Sequence, residues 1–465
     1  MRELVRKYPR FFILALLAAV ALRLIFLFRF PSITVDSLSY GDIAKNWMQH
    51  GIYGLSGPKA ISPTYTRLPG YPVFLALIFS IFGMEHYRAV LVVQLFVDLG
   101  TCFLIADLAR RLISPRAARV AFLLAALCPF LANYAAAALT ETLEIFFTVV
   151  ALDCAVIGLT TQKARSPWIL CGLATGAAIL LRPDGGLLLV VIEAYLLLLW
   201  GVAVTKKSQV LPSPKNIFGA ALVVLLLSVA PLVPWTVRNL KTLHDFEPLT
   251  SRYANEAHEF VPLGFNRWVK TWIVDYASVE EIYWQVPDGT IDAAQLPSRA
   301  FDSAKQRLET EKLLADYNSK LRISPAMDSR FAAVAEERVD QSPLRYYIWL
   351  PALRIADMWL RPRTEILPSD IRWWEFNDDP KWMTLAIALG IINLFYVAAA
   401  IVGGIYGKFG PHFALLLAFV VVRSLFLGTL ENPEPRYVLE CYPAVIVLAS
   451  ALFLGRSDRE AVKPK

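Results

Sequence analysis

The sequence predicts an all-α protein that crosses a membrane many times. Of its 465 residues, 56% are hydrophobic and 18% are charged, and the mean hydropathy is +0.49. Apolar runs recur along the chain at lengths near the roughly 20 residues that one crossing of the hydrocarbon requires. Lys and Arg, which give a net charge of +7, cluster in short stretches between these runs, where such residues orient the spans. We therefore predict a polytopic membrane protein with no nucleic-acid partner.

Eleven apolar runs mark the expected membrane segments: residues 11–30, 70–83, 87–109, 117–133, 138–160, 167–182, 185–204, 216–236, 383–406, 411–430 and 437–455. The run 70–83 is about two thirds of a span, so we expect it to lie at the interface or to enter the membrane halfway. The other runs cross, which predicts about 10–11 transmembrane helices in all. No small-residue cleavage site follows the first run, so we interpret it as a retained span rather than a signal peptide.

The basic loops predict the orientation of these spans. Basic residues at positions 2–10 place the N-terminus in the cytoplasm, and the loops at 110–119, 163–165, 206–215 and 408 and the tail from 456 follow on the same side. We divide the chain into a transmembrane catalytic module (1–237) with its first external loop (31–70), an extracytoplasmic segment (238–381), and C-terminal transmembrane helices with a short cytoplasmic tail (382–465). The expected location is the plasma (inner) membrane.

The first external loop contains the two strongest candidates for chemistry. Asp36 is followed at helical spacing by Tyr40 and Ala44, which predicts a short helix along the membrane surface. Asp36 could act as a general base or simply cap this helix. Arg67 precedes Pro69 and an apolar helix, where it could bind a phosphate or anchor the chain at the interface.

Other polar groups lie on the same predicted face of the membrane. Glu141 begins a span, and Glu144, one turn deeper, should face the protein interior and pair with another group. Arg182 and Asp184 could form a mutual salt bridge or bind substrate. The remaining candidates for substrate binding are Arg238, His258, Arg436 and Tyr437.

The sequence contains no recognisable metal or coenzyme motif. Its five histidines are dispersed, without the spacing of a metal site. We predict no cofactor and leave a divalent metal open. All five cysteines fall in apolar segments, so we interpret them as small core residues without disulfides.

The segment 238–381 is the part of the chain long enough to fold outside the membrane. Its aromatic residues up to Trp284 suggest a surface that rests on lipid headgroups. Residues 293–340 have the pattern of soluble amphipathic helices, and 344–362 resemble an interfacial helix.

Taken together, these residues resemble the GT-C superfamily of membrane glycosyltransferases, in particular the bacterial branch related to protein O-mannosyltransferases and to the lipid A aminoarabinose transferase. The resemblance rests on the order of six short motifs: Asp36 with Tyr40 and Ala44, Arg67-Leu-Pro-Gly-Tyr-Pro72, Thr140-Glu141, Leu181-Arg-Pro-Asp184, Pro234-Trp-x-x-Arg238-Asn239, and Arg436-Tyr437.

The resemblance implies a GT-C-like bundle and an enzyme that moves a sugar from a polyprenyl-phosphate donor to an acceptor outside the cytoplasm, usually with inversion. The acceptor could be a protein, a lipid such as lipid A, or a cell-envelope glycan. Asp36 then matches the catalytic acid, Arg67 the basic residue near the lipid phosphate, and Glu141 the acid of the second external loop. Ser37 and Thr66 stand where many relatives have acidic residues, which removes candidate metal ligands.

Two other classes of protein remain open from the sequence. A transporter or lipid flippase would use Glu144, Arg182 and Asp184 as a polar pathway, although such proteins tend to show two similar halves, and this sequence shows no repeat. A scaffold that binds a partner through 238–380 would not need Asp36.

Overall fold

The computed structural model describes residues 1–161, 165–205 and 212–453. Lys163, Lys206, Lys207 and the basic tail from Arg456, which the sequence assigns to the cytoplasm, lie outside these residues. The described chain is mainly α-helical, which confirms the predicted fold class. It forms two compact units: Met1–Glu259 with Phe395–Val422 and the chain from Leu439, and Phe260–Leu394 with Arg423–Val438.

The first unit begins with twelve helices and one hairpin. The helices are α1 (Arg2–Lys7), α2 (Pro9–Arg29), α3 (Val35–His50), α4 (Gly70–Phe82), α5 (Tyr87–Leu112), α6 (Pro115–Ala126), α7 (Pro129–Ala135), α8 (Glu141–Thr161), α9 (Ser166–Leu181), α10 (Gly186–Thr205), α11 (Pro214–Val229) and α12 (Leu232–Leu243). The hairpin strands are β1 (Gly54–Ser56) and β2 (Ile61–Pro63), and a 3-10 turn lies at Pro183–Gly185.

The second unit is built from shorter helices: α13 (Leu263–Lys270), α14 (Tyr276–Ser278), α15 (Ala304–Lys320), α16 (Pro325–Gln341) and α17 (Leu350–Leu360). Three further helices complete the chain: α18 (Pro380–Tyr406), α19 (Phe413–Gly428) and α20 (Tyr442–Ser450). Short 3-10 or π segments occur at Val279–Tyr283, Ala293–Gln295, Ser298–Ala300, Arg345–Trp349, Trp373–Glu375, Pro435–Cys441 and Ala451–Phe453.

Each predicted apolar run corresponds to a helix or to a bent helix pair. By length and composition, seven helices of the described residues can cross a membrane, and the pair α6 and α7, bent by 53°, makes an eighth if it is one span. The helices α4, α9 and α19 are apolar but shorter. With 13 residues and a rise of about 1.5 Å each, α4 is too short to cross about 30 Å of hydrocarbon. The multi-pass architecture is therefore confirmed, while a total of ten crossings requires α9 and α19 to cross as well.

A buried ion pair joins the first span to the third apolar run. Arg23 of α2 is 1% exposed, and its Nε lies 2.6 Å from Oδ2 of Asp98 on α5. Its Nη2 donates to the carbonyl of Ala125 at 3.1 Å. Charged groups inside lipid are costly unless they are paired, so these contacts fix the relative position of α2, α5 and α6.

Most aromatic residues at the start of the second unit form a core, contrary to the surface predicted from the sequence, whereas Phe260 and Trp284 are 48% and 41% exposed. Trp268 and Trp272 are both fully buried, and Phe265 and Tyr276 are nearly so. They pack with Leu313 of α15 and with other apolar residues of α15 and α16. The sequence prediction was wrong here because aromatic residues are common both at membrane interfaces and in cores.

Candidate active site

The helix that contains Asp36 is capped by another residue. Thr34 is the N-cap of α3: its Oγ1 accepts from the Ser37 amide at 3.4 Å, and Ser37 Oγ accepts from the Thr34 amide at 3.0 Å. This reciprocal arrangement satisfies two backbone donors at the helix start. The alternative role of Asp36 as the cap is therefore wrong, and its carboxylate makes a different contact.

Asp36 forms an ion pair with Arg67. Its Oδ1 accepts from Arg67 Nη2 at 2.8 Å, and the two side chains are 32% and 24% exposed. A second guanidinium nitrogen donates to the Thr66 carbonyl at 3.1 Å. The predicted acid and base thus meet although 31 positions separate them. Because the pair is partly exposed, its net free energy is only about 0–1 kcal/mol.

Tyr40 lies next to this pair. Its ring centroid is 5.7 Å from Arg67 Cζ and 5.1 Å from the ring centroid of Tyr71. Burial raises the pKa of Tyr40 to about 12; Arg67 opposes this shift and Asp36 adds to it, with smaller contributions from Arg182 and Glu141. Tyr40 is therefore a protonated hydroxyl at neutral pH, and four charged side chains lie within electrostatic range of it.

Arg182 is surrounded by carboxylates. Its Nε lies 3.0 Å from Asp184 Oδ1 and 3.4 Å from Glu144 Oε2, and its Nη1 lies 3.7 Å from Glu141 Oε1. Both glutamates are 1% exposed and occupy the first turn of α8. The Arg182–Asp184 salt bridge, one of the two alternatives that the sequence left open, is present. The prediction that Glu144 faces the interior and pairs is confirmed. The substrate-binding role of these residues remains a prediction.

A backbone bridge fixes the distance between the Asp36 loop and the start of α8. The Ser32 amide donates to the Ala136 carbonyl at 2.9 Å, and the Ala138 amide donates to the Ser32 carbonyl at 3.0 Å. Gln94, fully buried in α5, donates to the Ala137 carbonyl at 2.6 Å and accepts from the Tyr71 hydroxyl at 2.7 Å. These bonds hold the segments before Asp36 and before Glu141 side by side.

Gly70 allows the Arg67 segment to approach the Arg182 turn. A Cβ atom at Gly70 would lie 2.6 Å from the Leu180 carbonyl oxygen and 2.9 Å from the Leu181 nitrogen. Such a contact is far inside van der Waals distance, so any side chain here would push α4 and α9 apart. The glycine of the Arg67-Leu-Pro-Gly motif therefore serves this close approach.

Arg238 holds the hairpin of the first external loop. Its guanidinium donates to the carbonyls of Thr64, at 2.6 Å, and of Tyr53, and lies over the Tyr53 ring at 5.2 Å. The Tyr53 hydroxyl in turn donates to the Arg67 carbonyl at 2.9 Å. Arg238 is thus connected to Arg67 through one residue, a contact that the sequence did not reveal because the hairpin itself was not predicted.

A second acid beside Arg67 was missed as well. Glu256 Oε1 accepts from the Thr64 hydroxyl at 2.7 Å, and Thr64 is fully buried. Burial and Glu259 raise the pKa of Glu256, while the Thr64 bond, Arg238 and Arg67 lower it, and the net shift is upward. Glu256 lies far along the chain in a segment without regular structure, so no sequence signal pointed to it.

The three other predicted residues are His258, Arg436 and Tyr437. His258 is exposed and has a positive φ of 64°. In the second unit, Arg436 Nε lies 2.5 Å from Glu434 Oε2, and the Tyr437 hydroxyl donates to Glu434. Substrate binding by these residues remains a prediction. Among residues 1–161, 165–205 and 212–453, no three His, Cys, Asp or Glu side chains are grouped to hold a metal.

Comparison with known proteins shows which folds and families this chain resembles. Two structures of an oligosaccharyltransferase from Archaeoglobus fulgidus, AglB with an inhibitory peptide and dolichol phosphate and the enzyme tethered to an acceptor peptide, each align with a TM-score of 0.50. The identities are 12% and 13%, and each alignment covers 96% of this chain but 50% of the other. This chain thus spans about half the length of those enzymes, and the likeness shows a shared fold.

A protein-family model matches part of the chain. Residues 63–235, which are 173 of the 465, match dolichyl-phosphate-mannose-protein mannosyltransferases. The structure of ArnT from Cupriavidus metallidurans with undecaprenyl phosphate aligns at 14% identity over 95% of this chain and 78% of that one, with a TM-score of 0.42. No curated protein sequence matches. The family model and the shared fold confirm the predicted resemblance to the GT-C superfamily of membrane glycosyltransferases.

Proposed function

We propose that this protein transfers a sugar from a polyprenyl-phosphate donor to an acceptor at the extracytoplasmic face of the membrane, with Asp36 as general base. The observation that supports this most directly is the ion pair between Asp36 and Arg67, 2.8 Å long and partly exposed. It lies in the loop between α2, which can span the membrane, and the short apolar helix α4. A lipid-borne phosphate would reach a site at this level while its tail stays in the hydrocarbon.

The donor phosphate would replace the Asp36 carboxylate as the partner of Arg67. A guanidinium binds phosphate through a planar fork of donors, and these charge-assisted bonds are stronger than a partly exposed carboxylate pair. Binding of the donor would therefore release Asp36 at the moment when a base is needed. Arg182 lies within electrostatic range of Tyr40, next to the same pair, and provides a second guanidinium on this side of the site.

The reaction is an in-line displacement at the anomeric carbon. The acceptor hydroxyl forms the new bond to this carbon while its proton passes to Asp36, and the bond from carbon to the phosphate oxygen breaks. The polyprenyl phosphate leaves with the electron pair, and Arg67 stabilises its developing charge more in the transition state than in the ground state. Attack opposite the leaving group inverts the anomeric centre, by analogy with inverting glycosidases.

The hydrocarbon tail would bind along α4. Leu77 is 59% exposed and Ile81 71% exposed on this short helix, so they offer apolar surface at the edge of the bundle. Each CH₂ group of an isoprenoid that stays in lipid contributes about 0.8 kcal/mol, so the protein mainly has to hold the headgroup. The acceptor could be a protein, a lipid or a cell-envelope glycan.

The test is a double-mutant cycle with the purified protein in lipid and a labelled polyprenyl-phosphate sugar. Asp36→Asn keeps an oxygen that can accept from Arg67 but removes the base, and we expect transfer to fall about 10²–10⁴-fold. Arg67→Ala should lower it about 10²–10³-fold. If Asp36 only positions Arg67, Asp36→Asn will not lower the transfer rate further in the Arg67→Ala background. If Asp36 is the base, Asp36→Asn will lower the transfer rate in that background by most of the factor that it causes alone.

The matched control is Asp42→Asn on the same helix. Asp42 accepts from the Ser56 amide at 2.6 Å and from its hydroxyl at 2.8 Å, so this variant removes a carboxylate of α3 whose polar contacts among the described residues are with the hairpin and Lys45. It should retain transfer to within a few fold. Full transfer by Asp36→Asn would end the proposed mechanism, and lipid translocation without transfer by the unaltered protein would favour the flippase alternative.

A further inference from the structure

A basic cavity lies at the opposite end of α2 from Asp36. It has a volume of about 590 Å³ and is lined by Met1, Arg2, Glu3, Leu4, Lys7, Tyr8, Arg110, Pro115 and Arg119. Four of these side chains are cationic and one is anionic. The helix α1, the N-cap of α2 at Tyr8, the end of α5 and the start of α6 meet here, so the cavity lies where three apolar segments end or begin.

The cationic groups of this cavity are mostly not neutralised by the protein. Within the part of the chain that the structure describes, Arg110 pairs with Asp107 at 2.8 Å, but no ion pair joins Arg2, Lys7 or Arg119 to a carboxylate. Arg119 stacks on Tyr8, its Cζ 4.1 Å from the ring centroid, and its buried Nε has no hydrogen-bond partner among the described residues. A buried donor without a partner is costly, which points to an acceptor supplied by a ligand.

The orientation of membrane spans does not by itself require basic residues to line a cavity. Basic residues that only orient a span can stay exposed to solvent, as Arg6 and Arg10 do. Arg119, by contrast, is half-buried against an aromatic ring. The cavity is also larger than a single ion needs and has room for a polar headgroup.

The adjacent surface of α2 indicates a lipid. Ile13, Leu14 and Leu17 follow Tyr8 by one to three turns and are 57%, 67% and 60% exposed. In a membrane this surface contacts acyl chains, so a molecule with its phosphate in the cavity could lay its chains along α2. Basic pockets between transmembrane helices bind anionic lipid headgroups in this way.

We propose that this cavity binds the phosphate headgroup of an anionic glycerophospholipid, with Arg119 and Lys7 as its main contacts. The site is separate from the proposed transfer site and does not depend on that activity. Bound lipid would hold α1 against the ends of α5 and α6.

The experiment measures lipid binding by the full chain in detergent. Phosphatidylglycerol should raise the thermal unfolding temperature of the unaltered protein, and phosphatidylcholine should not. Lys7→Gln/Arg119→Gln should weaken phosphatidylglycerol binding about 25-fold, because each basic side chain at an anionic membrane surface contributes about fivefold in affinity. The control Arg6→Gln/Arg10→Gln removes the same charge outside the cavity and should change the affinity less than threefold.

Three outcomes would overturn the proposal. Equal stabilisation of the unaltered protein by the two lipids would remove the site, and this measurement does not depend on whether a variant folds. Equal weakening by both double variants would indicate diffuse attraction to a charged surface. Displacement of the lipid by millimolar inorganic phosphate would indicate a site for soluble anions. Asp36→Asn should lose sugar transfer but retain lipid binding. The two measurements therefore test the proposed function and the lipid site separately.

Discussion

Arg238 offers the sharpest test of how the candidate active site is held together. The sequence predicts that it binds substrate, whereas the structure shows its guanidinium on the carbonyls of Tyr53 and Thr64. Tyr53 in turn donates to the carbonyl of Arg67. We predict that Arg238→Gln loosens the hairpin and, through Tyr53, displaces Arg67.

The expected magnitude follows from the contacts. A hydrogen bond from a charged donor contributes about 1.5–3 kcal/mol, so two bonds to backbone carbonyls contribute about 3–6 kcal/mol. Arg238 is half-buried, and water can replace part of each bond, so we take about 3 kcal/mol as the local cost. Since 1.4 kcal/mol is a factor of ten, hydrogen exchange at the Thr64 amide, which donates to Tyr53 at 3.2 Å, should become about 100-fold faster.

The assay is amide hydrogen exchange over residues 52–66, combined with transfer kinetics. Lys241→Gln is the control, because Lys241 is an exposed cation on the same helix. We expect faster exchange in Arg238→Gln, unchanged exchange in Lys241→Gln, and a loss of turnover that follows the loss of protection. Unchanged exchange in Arg238→Gln, together with a higher KM for the donor, would refute the positioning role and favour direct substrate binding.

Two further predictions concern packing and pH. Gly70→Ala should destabilise the protein by about 1–3 kcal/mol, because its Cβ would lie 2.6 Å from the Leu180 carbonyl oxygen. The control Gly219→Ala should not destabilise it, because nothing lies within 4 Å of a Cβ at that position. Equal thermal stabilities of the two variants would contradict the close approach at Gly70. Burial raises the pKa of Glu256 in the folded protein above its pKa in the unfolded chain. The stabilisation that Glu256 contributes is therefore fully present below its unfolded-state pKa and is lost as pH rises through its folded-state pKa. Glu256→Gln should therefore become more stable relative to the unaltered protein as pH rises from about 4 to 7, and a pH-independent difference would contradict this.

The sequence predicted the elements near Asp36 better than it predicted their contacts. The helix after Asp36 forms over Val35–His50, as its spacing indicated. The capping residue is Thr34 instead, because a side chain two positions before Asp36 has the geometry to reach the Ser37 amide. The hairpin at 54–63 was not predicted. Its three-residue strands are too short for alternation to be recognised.

Partners of charged side chains were the least predictable feature. Glu144 had to pair because it lies inside a span, and this followed from the sequence. That its partner is Arg182, and that Arg67 meets Asp36, depends on the close approach at Gly70 and on the bridge between Ser32 and Ala137. Gln94, a polar residue within an apolar run, was a signal that could have been recognised.

By itself the sequence predicted an all-α polytopic membrane protein, the order of its apolar segments and the loops that contain its candidate catalytic side chains. These properties depend on local composition, because the transfer of apolar side chains into lipid is nearly additive along the chain. Only the tertiary structure decided which charges meet, that Arg238 binds backbone carbonyls, and that four basic groups surround a cavity near the N-terminus. Such contacts act over a few ångströms between residues far apart in sequence, and the packing of the helices alone sets those distances.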